Sequence, residues 1–241
     1  MNLNRRQFLG GGLVGASIAL AGCGGSSSSS SPTSSSAASS STTSSSGSSS
    51  TASSTITQAS TPAVAGAVGP EDVTLEQGPL LAPASTTTPG TPVDGIDCAP
   101  IEQLAYHVHA HLQVYVDGQP RTLPEGIGIP KPVAQQTPTG SFVGSGLCFY
   151  WLHTHVTDGI IHIESPTARV YTLGNFFDEW RQPLSASQVG PATGKVTAFL
   201  NGRPWTKSPR TIPLESHFVV QLDVGTPLVP YRKVSFGHAG L

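Results

Sequence analysis

Tyr106-His107-Val108-His109-Ala110-His111-Leu112-Gln113-Val114-Tyr115-Val116 carries the clearest structural signal in the chain. From Ala105 on it alternates without a break. Tyr106, Val108, Ala110, Leu112, Val114 and Val116 fall on one side, and His107, His109, His111, Gln113 and Tyr115 on the other. A period of two is that of a β-strand, so this segment reads as a half-buried strand with its histidines on the polar face.

Directly after this strand Asp117-Gly118 makes a turn, and residues 120–132 are broken by proline. A second run, Leu147 to Val156, is separated by Thr157-Asp158-Gly159 from a third, Ile160 to Glu164. Asp-Gly between β-branched runs signals a hairpin. Leu173, Phe176, Phe177 and Trp180 stand at helical spacing behind Thr172, a good N-cap, and Pro183 ends that helix. Lys195–Leu200 and His217–Val224 read as two further strands. The fold class is therefore mainly β: an antiparallel sheet or barrel-like single domain with one short helix. Residues 114–120 and 198–204 echo each other weakly, because both are strand-to-turn junctions built from Asp or Asn, Gly and Pro.

Six of the eight histidines fall between His107 and His162, each on the polar parity of its strand. With Asp158-Gly159 as a two-residue loop, Thr157 pairs with Ile160, His155 with His162 and His153 with Glu164. Directly opposed residues share a face with Cβ atoms ~5 Å apart. One face then carries His153, His155, His162 and Glu164, while Thr154, Val156, Ile161 and Ile163 take the other. A longer even loop keeps this facing and an odd one breaks it. Three imidazoles and a carboxylate so placed can converge on one ion, since metal–ligand distances are ~2.0–2.2 Å.

Positions two apart on a strand are separated by ~6.7 Å and four apart by ~13 Å, so His107, His109 and His111 cannot easily share one ion. Two of them complete the hairpin site or form a second site. Imidazole with carboxylate suits Cu or Zn, with Fe or Mn as further choices, and the absence of Met beyond Met1 argues against a methionine-rich copper carrier.

Every acidic residue and ten of the twelve Lys and Arg residues lie between Glu71 and Lys233, a net charge of −4 there. No basic run exceeds Arg232-Lys233, which excludes a nucleic-acid or polybasic membrane surface. The sequence also lacks a Gly-rich phosphate loop, a Cys-x-x-Cys pair and a nucleophile elbow.

The 64 positions from Gln7 to Pro70 carry no charge. Arg5-Arg6, Phe8-Leu9 and the apolar run Leu13–Ala21 have the layout of a secretory signal, too short to span a bilayer comfortably. Asn4-Arg5-Arg6-Gln7-Phe8-Leu9 resembles the twin-arginine export motif, and Leu20-Ala21-Gly22-Cys23 resembles a lipoprotein lipobox. The resemblance implies that Cys23 is lipidated and tethers the chain to a membrane. With Cys23 spent on lipid, Cys98 and Cys148 remain, and in an oxidising compartment their default is a disulfide.

Between Gly24 and Pro62, 28 of 39 residues are Ser or Thr, too polar to offset their ordering entropy by burial. The expected organisation is a signal (1–22), the lipidated Cys23 with a disordered Ser/Thr-rich linker (23–69), an extended Pro-rich segment (70–98) and a β-rich histidine domain (99–241). The expected location is the outer side of the bacterial cytoplasmic membrane, or the periplasm and outer membrane.

His107-Val-His109-Ala-His111, Tyr150-Trp-Leu-His153-Thr-His155, Gly159-Ile-Ile-His162-Ile-Glu164-Ser-Pro166 and Tyr171-Thr-Leu-Gly174-Asn-Phe-Phe177 together resemble a family of uncharacterised secreted proteins of bacteria and archaea. That likeness covers about the last 140 residues and implies an intact set of motifs rather than an activity. The ligand set is loosely similar to that of cupins, three His and one Glu, although the order His153-x-His155 then His162-x-Glu164 departs from theirs. Two functional classes follow: a tethered module that buffers, delivers or senses Cu or Zn, or a metalloenzyme such as a hydrolase, cupin-like oxidase or oxygenase, or dismutase. Asp158 and Tyr115 are the candidate supporting groups for the enzyme, and a closed four-ligand site favours the module.

Overall fold

The computed structural model describes residues 66–84, 90–237 and 241. The expected signal, the Cys23 anchor and the Ser/Thr run lie outside the described residues, as does His238. The described residues all belong to one unit, Ile56–Leu241.

The alternating stretch forms strand β1, Tyr106–Val116. Asp117 and Gly118 take positive φ of 50° and 73° and fold the chain into β2, Gln119–Arg121, with Gln119 opposite Val116. Asn201 and Gly202, at 51° and 75°, make the same two-residue turn between β5, Val196–Leu200, and β6, Arg203–Trp205. The weak echo in the sequence is thus a repeated turn, set by residues that tolerate positive φ. Between these hairpins lie β3, Leu152–His153, and β4, Ile160–Ser165, and after them β7, Phe218–Val224.

These seven strands form one sheet in the order β6-β5-β7-β1-β4-β3, with β2 on the end of β1. Its ladders are antiparallel except one: β7 runs parallel to β1, from Phe218 opposite Ala110 to Val224 opposite Val116. The sheet is mainly antiparallel, as expected, but it is open and does not close into a barrel. Edge strand β3 is only two residues long, and the backbone beyond it pairs elsewhere. Thr154 bonds Ile127 and Gly126, and the His155 carbonyl accepts from Val143.

Helix α1, Leu173–Trp180, begins at a capping box in which the Thr172 side chain accepts from Asn175 N–H and Asn175 accepts from Thr172 N–H. It stops at Arg181, in left-handed conformation, two residues before the proline expected to end it. Leu173, Phe176, Phe177 and Trp180 are fully buried in one core with Ala110, Leu112, Val114, Ile161, Ile163, Val220 and Leu222. Burying each such aliphatic or aromatic side chain is worth ~1.5–3 kcal/mol, so this face of the sheet anchors the fold.

The opposite face corrects the half-buried expectation. His109, His111, Gln113 and Tyr115 are 3%, 1%, 7% and 7% exposed. Two segments cover them. Residues 66–84 bring Glu71 to His162 and Glu76 to His111, and Val229 bonds Asp223 and Gln221 of β7. The segment that reads as extended is thereby packed, with Val73, Leu81 and Ile96 buried. Cys98 and Cys148 form a disulfide that ties the chain ahead of β1 to the chain ahead of β3.

Candidate metal centre

His109 on β1 faces His162 on β4, which faces His153 on β3, so three histidines form a row across three neighbouring strands. Glu164 stands opposite His107 in the next row. The hairpin register differs from the two-residue-loop reading by two positions: His153 pairs with His162 rather than with Glu164. The reason is local. Asp158 Oδ1 caps the Ile160 N–H at 3.0 Å, and the backbone of Thr154 and His155 is drawn to residues 126, 127 and 143, so Asp158-Gly159 ends a longer connection. A shift of two preserves parity, and the chosen face survives.

Among the described residues two groups of donors result. His107, His109, His162 and Glu164 form one, and His153, His155, His162 and Glu164 the other; within each, the donor atoms lie within 4.8 Å of one another. All are buried except His107, whose side chain is 36% exposed. His111 is not among them. Its Nε2 donates to the Asp158 carbonyl at 2.7 Å and faces Glu76 at 3.2 Å. His217 also stands apart, donating to the carbonyl of Leu241.

In the first group the contacts close a ring. His107 Nε2 is 3.0 Å from His109 Nε2, which is 3.1 Å from His162 Nδ1. Glu164 Oε1 then lies 3.2 Å from His162 Nδ1 and 3.1 Å from His107 Nε2. An imidazole nitrogen that carries a hydrogen cannot also accept one, so at most about two protons can serve these four contacts. A cation inside the ring would satisfy all four lone pairs at once. Donors bonded at ~2.0–2.2 Å stand ~2.9–3.5 Å apart around a square or tetrahedral ion, which matches these edges.

The second group is more demanding. His153 donates through Nδ1 to the Tyr150 carbonyl at 2.8 Å, and His155 through Nδ1 to the Val143 carbonyl. Burial, reinforced by the charge of neighbouring histidines, holds His153 well below its ordinary pKa and His155 down at about 4. Both rings are therefore neutral at pH 7 with bare Nε2 atoms, yet those atoms lie 3.1 Å apart. Two facing lone pairs repel unless something positive stands between them. Glu164 Oε2 is 3.8 Å from His153 Nε2, buried, and has no hydrogen-bond partner.

Burial, then the charges of His162 and His107, push His109 down to about 2, so it too keeps its lone pair. Burial alone would lower His162, but hydrogen bonds to Glu164 and Glu71 outweigh it and hold this ring at about 9, so without a metal its Nδ1 carries a proton that an ion entering the ring would displace. Glu71 was not legible as a site residue. It accepts from His162 Nε2 at 2.8 Å, leaving Nδ1 to face the ring, the arrangement by which a carboxylate orients a metal-bound histidine. Burial would raise Glu71, yet the bond and charge of His162 hold it below the usual carboxylate range. Glu102, 3.5 Å from His155 Nε2, was missed as well. The one signal in the sequence is that Glu71 is the first charge after 64 uncharged positions.

Of the two candidate supporting groups, Asp158 is fully buried beside Glu71, and burial and that neighbour raise it to about 7. Tyr115 lines a cleft of about 290 Å³ with Glu76, His111, Gln113, Arg232 and Lys233, and none of the clustered donors lines it. The buried His/Glu clusters can hold a metal ion. No family model, curated protein or solved structure matches this chain.

Proposed function

We propose that this protein is an exported lipoprotein, anchored through Cys23, that binds a first-row transition metal, Cu or Zn, to buffer, deliver or sense it at the cell envelope. The observation that supports the metal most directly is the pair of bare Nε2 atoms of His153 and His155, 3.1 Å apart and fixed by backbone carbonyls. Imidazole and carboxylate donors suit Cu(II) and Zn(II). The location rests on Arg5-Arg6, the apolar run and Leu20-Ala21-Gly22-Cys23.

Binding is preferred to turnover for two reasons. Each donor group already offers four ligands and is almost wholly buried, whereas a catalytic ion keeps an open position for water or substrate. The cleft near Tyr115 is lined by His111, which is outside both groups. The partly exposed His107 gives a metal a way in and out.

Elemental analysis of the protein purified from its native envelope is the test. We expect tightly held Cu or Zn in the wild type, and none after His162→Ala and Glu164→Ala are combined, since both groups share those two donors. Metal content that is nil in the wild type, or unchanged in the double variant, sinks the proposal.

A further inference from the structure

We infer that the cluster is a two-metal centre bridged by the Glu164 carboxylate, one ion held by His107 and His109 and the other by His153 and His155. The inference rests on the metal-binding reading and goes beyond it. Four of the donors come as two separate pairs, each closed to ligand spacing: 3.0 Å between the Nε2 atoms of His107 and His109, and 3.1 Å between those of His153 and His155. His107 and His109 stand on β1, and His153 on β3 with His155 just beyond its end; β1 and β3 flank β4 on opposite sides, so the two pairs reach the centre from opposite directions.

Glu164 lies between them and turns a different oxygen to each. Oε1 is 3.1 Å from His107 Nε2, and Oε2 is 3.8 Å from His153 Nε2. That second oxygen is buried with no hydrogen-bond partner, a costly state for a carboxylate unless a cation faces it. His162, common to both groups, directs Nδ1 to the first pair while Glu71 holds its Nε2. Glu102, 3.5 Å from His155 Nε2, is the carboxylate placed to complete the second. Five histidines and Glu164 exceed the four protein ligands that an ordinary structural zinc site uses, and they suffice for two ions ~3.5–4 Å apart.

Stoichiometry on the full chain decides this. The protein is stripped with chelator, loaded with excess Zn(II), desalted and analysed for metal per chain; a parallel sample loaded with Cu(II) is examined by electron paramagnetic resonance. We expect two ions per chain, falling to one in His107→Asn/His109→Asn and to one in His153→Asn/His155→Asn. Two Cu(II) ions sharing a carboxylate couple magnetically, so the doubly loaded chain should integrate to clearly fewer than two spins.

A single ion in the wild type overturns the paired centre and leaves the metal-binding reading standing, whereas no ion overturns both. Two ions with a full, uncoupled spin count overturn the Glu164 bridge. The wild-type measurements decide the matter even where a double variant does not fold.

Discussion

At the scale of single residues, what distinguishes the histidines is where their hydrogens are committed. His153 and His155 spend Nδ1 on carbonyls and His162 spends Nε2 on Glu71, so each presents one chosen nitrogen. His111 spends Nε2 on the Asp158 carbonyl and presents nothing to the cluster. Glu71→Gln should therefore weaken metal binding ~10–100-fold, by loosening the orientation of His162. A competition titration against a chromophoric chelator checks this, and equal affinities would remove Glu71 from the centre. By contrast, His111→Gln should leave metal content at the wild-type level, although alternation alone ranks His111 equal to His107 and His109.

At the scale of elements, most of what positions the centre was legible. The parity of β1 put its histidines on one face, and the even connection between β3 and β4 kept His153, His162 and Glu164 together. The exact register was not legible, because it depends on distant backbone: Gly126, Ile127 and Val143 compete for the chain that follows His153. Gly128 shows how tightly that support packs. It sits at φ +72°, and an added Cβ would meet the Leu152 carbonyl oxygen at 2.2 Å and His153 Cβ at 3.0 Å. Gly128→Ala should cost roughly 2 kcal/mol or more, measured by chemical denaturation. It should also weaken binding at His153 and His155 more than at His107 and His109. The disulfide closes the chain between Cys98 and Cys148, 50 positions apart, so replacing both cysteines with Ala should cost about 4 kcal/mol. Equal denaturation midpoints would show that the crosslink is idle.

At the scale of the whole molecule, the polar face of the sheet is an interior, and this sets the response to pH. Folded-state values for His109, His153 and His155 lie below the ordinary value near 6.5, so the unfolded chain takes up protons that the folded one refuses. Their contribution is complete above about pH 7 and is lost as pH falls from ~6.5 towards about 4. His162 acts the other way: held at about 9, it stabilises below ~6.5 and the gain disappears as pH rises through 9. The metal-free protein should show its highest melting temperature between these limits and a clear drop by pH 5. A flat profile from 7 to 5 would mean that these rings are not buried as described. Metal should protect less as the solution is acidified, because ligand lone pairs are then contested by protons.

The prolines of residues 70–98 marked an extended segment laid partly on the domain, but no sequence pattern told which face of the sheet it covers, because its apolar positions follow no regular period. Nor did alternation reveal the parallel partnership of β1 with β7, since period two is the same for either direction. That partnership has a kinetic consequence. Ala110 finds Phe218 only after roughly a hundred intervening residues have been made, and long-range pairings of this kind fold slowly, in milliseconds to seconds. The edge of β1 away from β4 therefore stays bare while residues 117–217 are being made. Until Phe218–Val224 emerges, the histidine strand is a half-finished template exposed to whatever else can bind it.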